Sequence, residues 1–193
     1  LSKELESEEY YDKNEVISDY NFFEPRLSVN YSLDEFSSIK ASYNRMTQYL
    51  HLISNTVAST PLDIWLPTSN NLKPQVADQI ALGYFRNFKT NTYEASAEVF
   101  AKDFQNQVDY IDNAQIFFND QLEGDLLSGS GRAYGIELFV KKNKGDFTGW
   151  ISYTLSRSER KVEGINRGDW YPNRFDRLHN LSLVGSYQLN DKW

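Results

Sequence analysis

Two histidines are the first side chains in this sequence that invite a chemical reading. His179 follows Asp176 by three residues, a carboxylate–imidazole spacing that acid–base and nucleophilic hydrolases use. A hydrolase also needs an activated nucleophile, and no Gly-x-Ser-x-Gly elbow occurs in the chain. Asp176, Arg177 and His179 are therefore expected to make polar contacts at a rim, and no catalytic residue is assigned. His51 stands alone in a long connection, with no second ligand type beside it. Gly129-Ser130-Gly131 reads as the exit from a loop; as a phosphate cradle it lacks the following lysine and helix. Asp120, Glu123 and Asp125 fall short of a twelve-residue calcium loop. Cysteine is absent, which removes disulfides, thiolate zinc sites and a cysteine nucleophile. No enzyme activity, metal or cofactor is expected.

Binding is the better use for the remaining candidates. Trp65, between Ile64 and Leu66-Pro67, then Phe117-Phe118, then Trp170-Tyr171-Pro172 fall in three long connections. Exposed rings with a polar handle suit stacking on sugars, peptides or ring-bearing chelates; packing the loops together is the competing use. With 20 basic and 27 acidic residues the net charge is −7, which argues against a nucleic-acid partner. Residues 1–24 hold Glu4, Glu6, Glu8, Glu9, Asp12, Glu15, Asp19 and Glu24 against Lys3 and Lys13, and read as an acidic, solvated, extracellular-type loop leading into the first strand.

The elements that must position these residues are strands. Apolar residues alternate with polar or small ones near 25–33, 38–48, 75–85, 93–104, 132–142, 147–158 and 179–189. Leu27, Val29, Tyr31 and Leu33 fall on one face and Arg26, Ser28, Asn30 and Ser32 on the other; the same holds for Tyr134, Ile136, Leu138 and Val140 against Gly135, Glu137, Phe139 and Lys141. The apolar face carries no charge. The opposite face carries Arg26, Lys40, Glu94, Glu98, Lys102, Glu137 and Lys141. Short polar turns, such as Asp34 to Ser37 and Asn143 to Asp146, alternate with long connections at about 46–74, 104–131 and 158–178. Short turns at one end and long loops at the other are the asymmetry of outer-membrane barrels. No apolar run reaches the length of about 20 residues that a spanning helix needs, which leaves strands as the only route across a bilayer. Phe36, Tyr84, Phe85, Phe88, Tyr93, Phe147, Tyr187 and Trp193 cluster beside the short turns, as in an interfacial aromatic belt. The fold class expected for 25–193 is all-β, an antiparallel up-and-down meander forming part of a transmembrane β-barrel wall. Asn190-Asp191-Lys192 reads as a turn, so the chain is expected to be an interior piece of a longer protein.

Several stretches then resemble a known family. Glu24-Pro25-Arg26-Leu27-Ser28, Ile39-Lys40-Ala41-Ser42-Tyr43-Asn44-Arg45, Leu72-Lys73-Pro74-Gln75 and Gly131-Arg132-Ala133-Tyr134-Gly135-Ile136-Glu137 resemble the barrel of TonB-dependent outer-membrane receptors. So do Gly149-Trp150-Ile151-Ser152-Tyr153-Thr154-Leu155-Ser156 and Asp176-Arg177-Leu178-His179-Asn180, in family order. The branch most resembled is the large SusC-like group. The resemblance implies about seven strands of a likely 22-stranded barrel, a plug domain threaded through it, and a TonB-contacting box in the periplasm. It also implies outer-membrane lipid around the barrel, a small-molecule or oligomeric nutrient as cargo, and a surface lipoprotein as partner in the SusC-like branch. The charged residues of the polar face, Arg26, Lys40, Glu94, Glu98, Lys102, Glu137 and Lys141, would then face the lumen and plug. A soluble all-β binding domain with aromatic loops is the alternative, and an outer-membrane hydrolase a more remote one.

Overall fold

The computed structural model describes residues 16, 18–53, 64–110, 124 and 126–190. Its strands are β1 (Arg26–Ser32), β2 (Ser37–Gln48), β3 (Leu50–Ile53), β4 (Ile64–Pro67), β5 (Gln75–Phe88), β6 (Tyr93–Tyr110), β7 (Leu126–Lys142), β8 (Phe147–Val162), β9 (Tyr171–Pro172) and β10 (His179–Tyr187). The main sheet runs β1-β2-β5-β6-β7-β8-β10, with every neighbouring pair antiparallel and β9 added alongside β8. Each strand thus pairs with the next one that reaches the sheet, as an up-and-down meander requires.

Register explains why the sheet has two unlike faces. Leu27, Tyr43, Ile80, Ala101 and Tyr134 lie in one cross-strand row, and Val29, Ala41, Leu82, Val99, Ile136 and Leu155 in the next. Tyr31, Ile39, Tyr84, Ala97, Leu138, Tyr153 and Leu181 form a third. Because the side-chain period is two, one register slip would scatter this band to both faces. Among the described residues nothing covers it: Leu183 is 71% exposed and Leu27 63%, and the second sheet is only the β3–β4 hairpin. Among the described residues the buried apolar side chains are Leu72, Val76 and Val162, all at the long-loop end. A soluble domain of this length would bury well over half of its surface around one core. The band is lipid-facing in kind, and the soluble sandwich reading lacks its second layer.

Strand ends differ from the sequence expectation in a consistent way. β5 reaches Phe88, β6 reaches Tyr110, β7 begins at Leu126 and β8 ends at Val162. These extensions stand beyond the apolar band, where apolar residues such as Leu126-Leu127 and Val162 no longer alternate with polar ones, so the pattern fades while the backbone ladder continues. Gly129-Ser130-Gly131 accordingly lies inside β7, not at a loop exit. The first long connection carries its own hairpin, β3 with β4. At the opposite edge of β2, Arg45 N–H donates to the Pro25 carbonyl at 3.0 Å and Thr47 N–H to the Glu24 carboxylate at 2.9 Å, covering the ladder where β1 has ended.

Candidate functional site

The polar face of the sheet holds the charges that the alternation places there. Lys40, Gly83, Glu98 and Glu137 share one cross-strand row. Glu98 and Glu137 are direct partners, and among the described residues neither forms an ion pair. Like charges opposite one another destabilise a sheet unless a cation is supplied. Lys40 does not neutralise them: its Nζ lies 4.6 Å from the Phe85 ring centroid, with Gly83 between it and Glu98. The space beside Gly83 is limited, since a Cβ there would meet the Phe85 ring at 2.8 Å and Glu98 Oε2 at 3.1 Å. Nearer the short turns, Glu94 faces Lys141 across the strands and accepts from Asn143 Nδ2 at 2.6 Å. Lys102 Nζ lies 5.7 Å from the Phe100 ring centroid. Arg26, at the sheet edge, sits 3.6 Å from Glu24. The sequence-predicted polar-face residues are therefore brought together as one row (Lys40, Glu98, Glu137) and one pair (Glu94, Lys141), with Arg26 and Lys102 apart from them.

Two polar clusters at the long-loop end were not foreseen. Asn106, with φ 57°, sits in a bulge of β6, and its side-chain amide donates to the Pro74 carbonyl at 2.8 Å. This bulge brings Gln107 against Gln75, whose amide contacts His51 Nδ1 at 3.0 Å; Gln107 Nε2 donates to Gln75 Oε1, also at 3.0 Å. His51 is 1% exposed, and its Nε2 has no partner among the described residues. Burial lowers the His51 pKa, so the ring is neutral at pH 7. Beside this network, Asp109 accepts from the Tyr171 hydroxyl at 2.7 Å and pairs with Arg160 at 3.5 Å. Burial first, and then the Asp109 hydrogen bond, raise the Tyr171 pKa well above the ordinary phenol range, keeping the hydroxyl protonated. A signal did exist: Gln75 opens an expected strand and Gln107, Asp109 and Arg160 are polar residues in strand extensions, but the bulge that sets β6 in phase with β7 could not be read from alternation.

The lipid-side face ends in charge as well. Arg45 grips Asp78 through Nε and Nη2, both at 2.8 Å, and the Tyr43 hydroxyl donates to the same carboxylate at 2.6 Å. Arg132 holds Glu159 through Nε and Nη2, both at 2.8 Å from the one oxygen Oε2, and Arg157 reaches Asp176 at 3.1 Å. Arg45, Asp78, Asp103, Arg132 and Glu159 share one cross-strand row immediately past the apolar band on the long-loop side, and Arg157 stands one row inside it, opposite Tyr134.

The predicted ligand aromatics are placed as follows. Trp65 is 55% exposed on β4, opposite Leu52. Trp170 has one ring face covered by the Arg132 guanidinium at 4.1 Å, and Tyr171 belongs to the Asp109 cluster on the polar face. The structure thus brings Tyr171 near Arg160 and Asp109, and sets Trp170 on the other face of the sheet. Phe117 and Phe118 lie outside the described residues, as do Asp120, Glu123, Asp125 and Trp193. Asp176 and His179 do not form a dyad: Asp176 accepts from Ser158 N–H at 2.7 Å and pairs with Arg157, while His179 Nδ1 lies 2.8 Å from the Tyr153 hydroxyl. Among the described residues no group of His, Cys, Asp and Glu is arranged to hold a metal.

An uncovered apolar band on one face, a charged row on the other and short turns opposite long connections define the wall of a transmembrane β-barrel. The family model for the TonB dependent receptor-like β-barrel matches residues 7–193, and the chain belongs to that family. No curated protein matches the chain. The family comprises outer-membrane transport receptors of Gram-negative bacteria, transporters and not enzymes.

Proposed function

We propose that this barrel wall serves TonB-coupled import of a scarce nutrient, with cargo captured by the long connections and a plug segment held against the polar face. The supporting observation is the Glu98–Glu137 pair. Two facing carboxylates with no ion-pair partner among the described residues call for a basic side chain from an inserted segment. Arg26, Lys40, Glu94, Lys102 and Lys141 share that face and would meet the plug or line a wet passage around it. Trp65, Tyr171 and Trp170 (through its free ring face), together with Phe117 and Phe118, are the proposed cargo contacts. Resemblance to the SusC-like branch supports a surface lipoprotein as partner on the long-loop side. The cargo itself is read only as a small or oligomeric nutrient.

This part of the barrel wall contains no cysteine, so a thiol introduced in it is labelled without competition from its own strands. A photo-crosslinker attached to Glu98→Cys in the intact receptor should join this strand to a basic segment of the same polypeptide, mapped by peptide mass spectrometry. The same probe at Leu82→Cys, on the apolar face, should capture lipid instead. Peptide capture from position 82, or none from position 98, would refute the assignment of faces.

A further inference from the structure

The two membrane-facing borders of the sheet differ in charge. On the long-loop side the arginines are paired with carboxylates, Arg45 with Asp78 and Arg132 with Glu159. On the short-turn side the apolar face ends in cations that form no ion pair among the described residues: Arg86, Lys89 and Lys142. Each lies against a ring. Arg86 is 5.3 Å from the Phe88 centroid, Lys89 is 5.7 Å from Tyr93, and Lys142 is 5.9 Å from Phe147. Phe88, Tyr93 and Lys142 are successive partners in one row, so the three cations occupy β5, the β5–β6 turn and β7, spanning three neighbouring strands. The two neighbouring turns are tied together, with Asn143 N–H donating to the Thr92 carbonyl at 2.8 Å and Lys144 Nζ to the Thr90 carbonyl at 2.7 Å. Carboxylates also stand at this end, Asp34 and Glu35 in the β1–β2 turn and Asp146 in the β7–β8 turn, but none forms an ion pair with the three cations among the described residues. Asp34, within electrostatic reach of Arg86, accepts from Phe36 N–H at 2.7 Å, and Glu94, on the opposite face, holds Asn143.

A chain with a net charge of −7 therefore places three cations without an ion-pair partner among the described residues, each against an aromatic ring, at the short-turn border of its apolar face. We infer that Arg86, Lys89 and Lys142 form a docking strip for the phosphates of anionic glycerophospholipid in the leaflet on the short-turn side. The rings beneath would sit at the level of the glycerol and upper acyl chains, where aromatic belts lie. The ammonium and guanidinium groups would project to the phosphates, as long basic side chains do at interfaces. The inference rests on the membrane-spanning reading of the sheet and not on plug docking or cargo, so the Glu98 crosslink to a plug segment can fail while this one succeeds, whereas peptide capture from position 82 would remove both.

The test uses the intact receptor in detergent, incubated with mixed micelles holding equal phosphatidylglycerol and phosphatidylcholine, with retained lipid read by native mass spectrometry. Wild type should retain phosphatidylglycerol in about tenfold preference, of the order that a few interfacial cations supply. The triple variant R86Q/K89Q/K142Q should lose that preference. The conservative variant R86K/K89R/K142R should keep it, which separates charge from folding. K161Q/R167Q, which neutralises cations of the open cleft at the long-loop end, should leave it unchanged. Equal retention of the two lipids by wild type, or an unaltered preference in the triple variant, would overturn the inference. Retention of lipopolysaccharide through the same three residues would overturn the leaflet assignment.

Discussion

Leu82→Lys separates a lipid-facing sheet from a water-facing one more sharply than any other single change. Leu82 lies in the middle of β5 on the apolar face, flanked by Ala41 and Val99, and is 52% exposed. The nearest charges on the same face of its own strand are Asp78 and Arg86, each four residues away. At about 3.4 Å per residue those charges stand about 27 Å apart along the strand, or about 20 Å in height at a tilt near 40°, close to the apolar band of about 25 Å in such barrels. Leu82 is at the centre of that span, and a lysine stem snorkelling from it covers only part of the distance to either border. The expected cost is about 2–4 kcal/mol, the range for Lys at the midplane, or roughly 30- to 900-fold in the folding equilibrium. In water, the same substitution at a half-exposed site would change stability by less than about 0.5 kcal/mol. Urea unfolding of the intact receptor in phospholipid vesicles, followed by tryptophan fluorescence, measures the difference. Ser42→Lys, on the polar face between Ser28 and Ala81, is the control and should stay within about 0.5 kcal/mol of wild type. A Leu82→Lys effect no larger than the control's would refute the lipid-facing assignment.

Two further outcomes follow from local geometry. Gly135→Ala should destabilise the barrel by roughly 1–3 kcal/mol in the same assay, because the new Cβ would stand 2.6 Å from the Leu155 carbonyl oxygen and 2.7 Å from Ser156 Cβ, contacts that only backbone movement relieves. His51 sets a pH dependence at the long-loop end. Its folded pKa lies below the unfolded value of about 6.5, so the unfolded chain binds more protons and stability falls as pH drops through that value. Amide exchange of β3 and β5 should accelerate on acidification below about pH 6.5, and His51→Gln should flatten that response.

The legible part of this molecule is the part whose two faces differ. Where one face meets lipid, alternation marks every strand, and the short turns at 33–36 and 143–146 fix their own hairpins. Long loops do not transmit register, so Arg45 and Asp78 are visible only as polar residues 33 positions apart; the β2–β5 ladder makes them an ion pair. The same limit hid the His51–Gln75–Gln107 network, whereas Arg132 and Glu159 share the hairpin of the short turn at 143–146 and were missed because Glu159 lies just past the strand end that alternation gives. Beyond the band both faces are wet, and there alternation understated β6 and β7 by several residues, even though their hydrogen-bond ladder continues to Tyr110 and Leu126. Trp170 shows a further limit. Its ring type suggested stacking on a ligand, and the structure places an arginine of the same chain on one ring face.

The sheet is open, and that openness is itself a strong physical constraint. β1 and β10 are the two borders of the main sheet, and both lie within the apolar band. Each leaves alternate N–H and C=O groups without a ladder partner. In water such groups find solvent; in hydrocarbon each costs several kcal/mol, so a membrane sheet is stable only when its edges are paired. Across β1, of 7 residues, and β10, of 9, the unpaired groups would together outweigh the typical net stability of about 5–15 kcal/mol of a whole protein. Residues 1–193 expressed alone and presented to phospholipid vesicles should therefore form no heat-modifiable, protease-resistant band on cold gel electrophoresis, whereas the intact receptor should form one. Attachment of a further strand to both borders is the minimum that removes the penalty. A discrete protected species from the isolated chain, at a mass of one copy, would show that these seven strands close on themselves and that the wall is smaller than the family barrel.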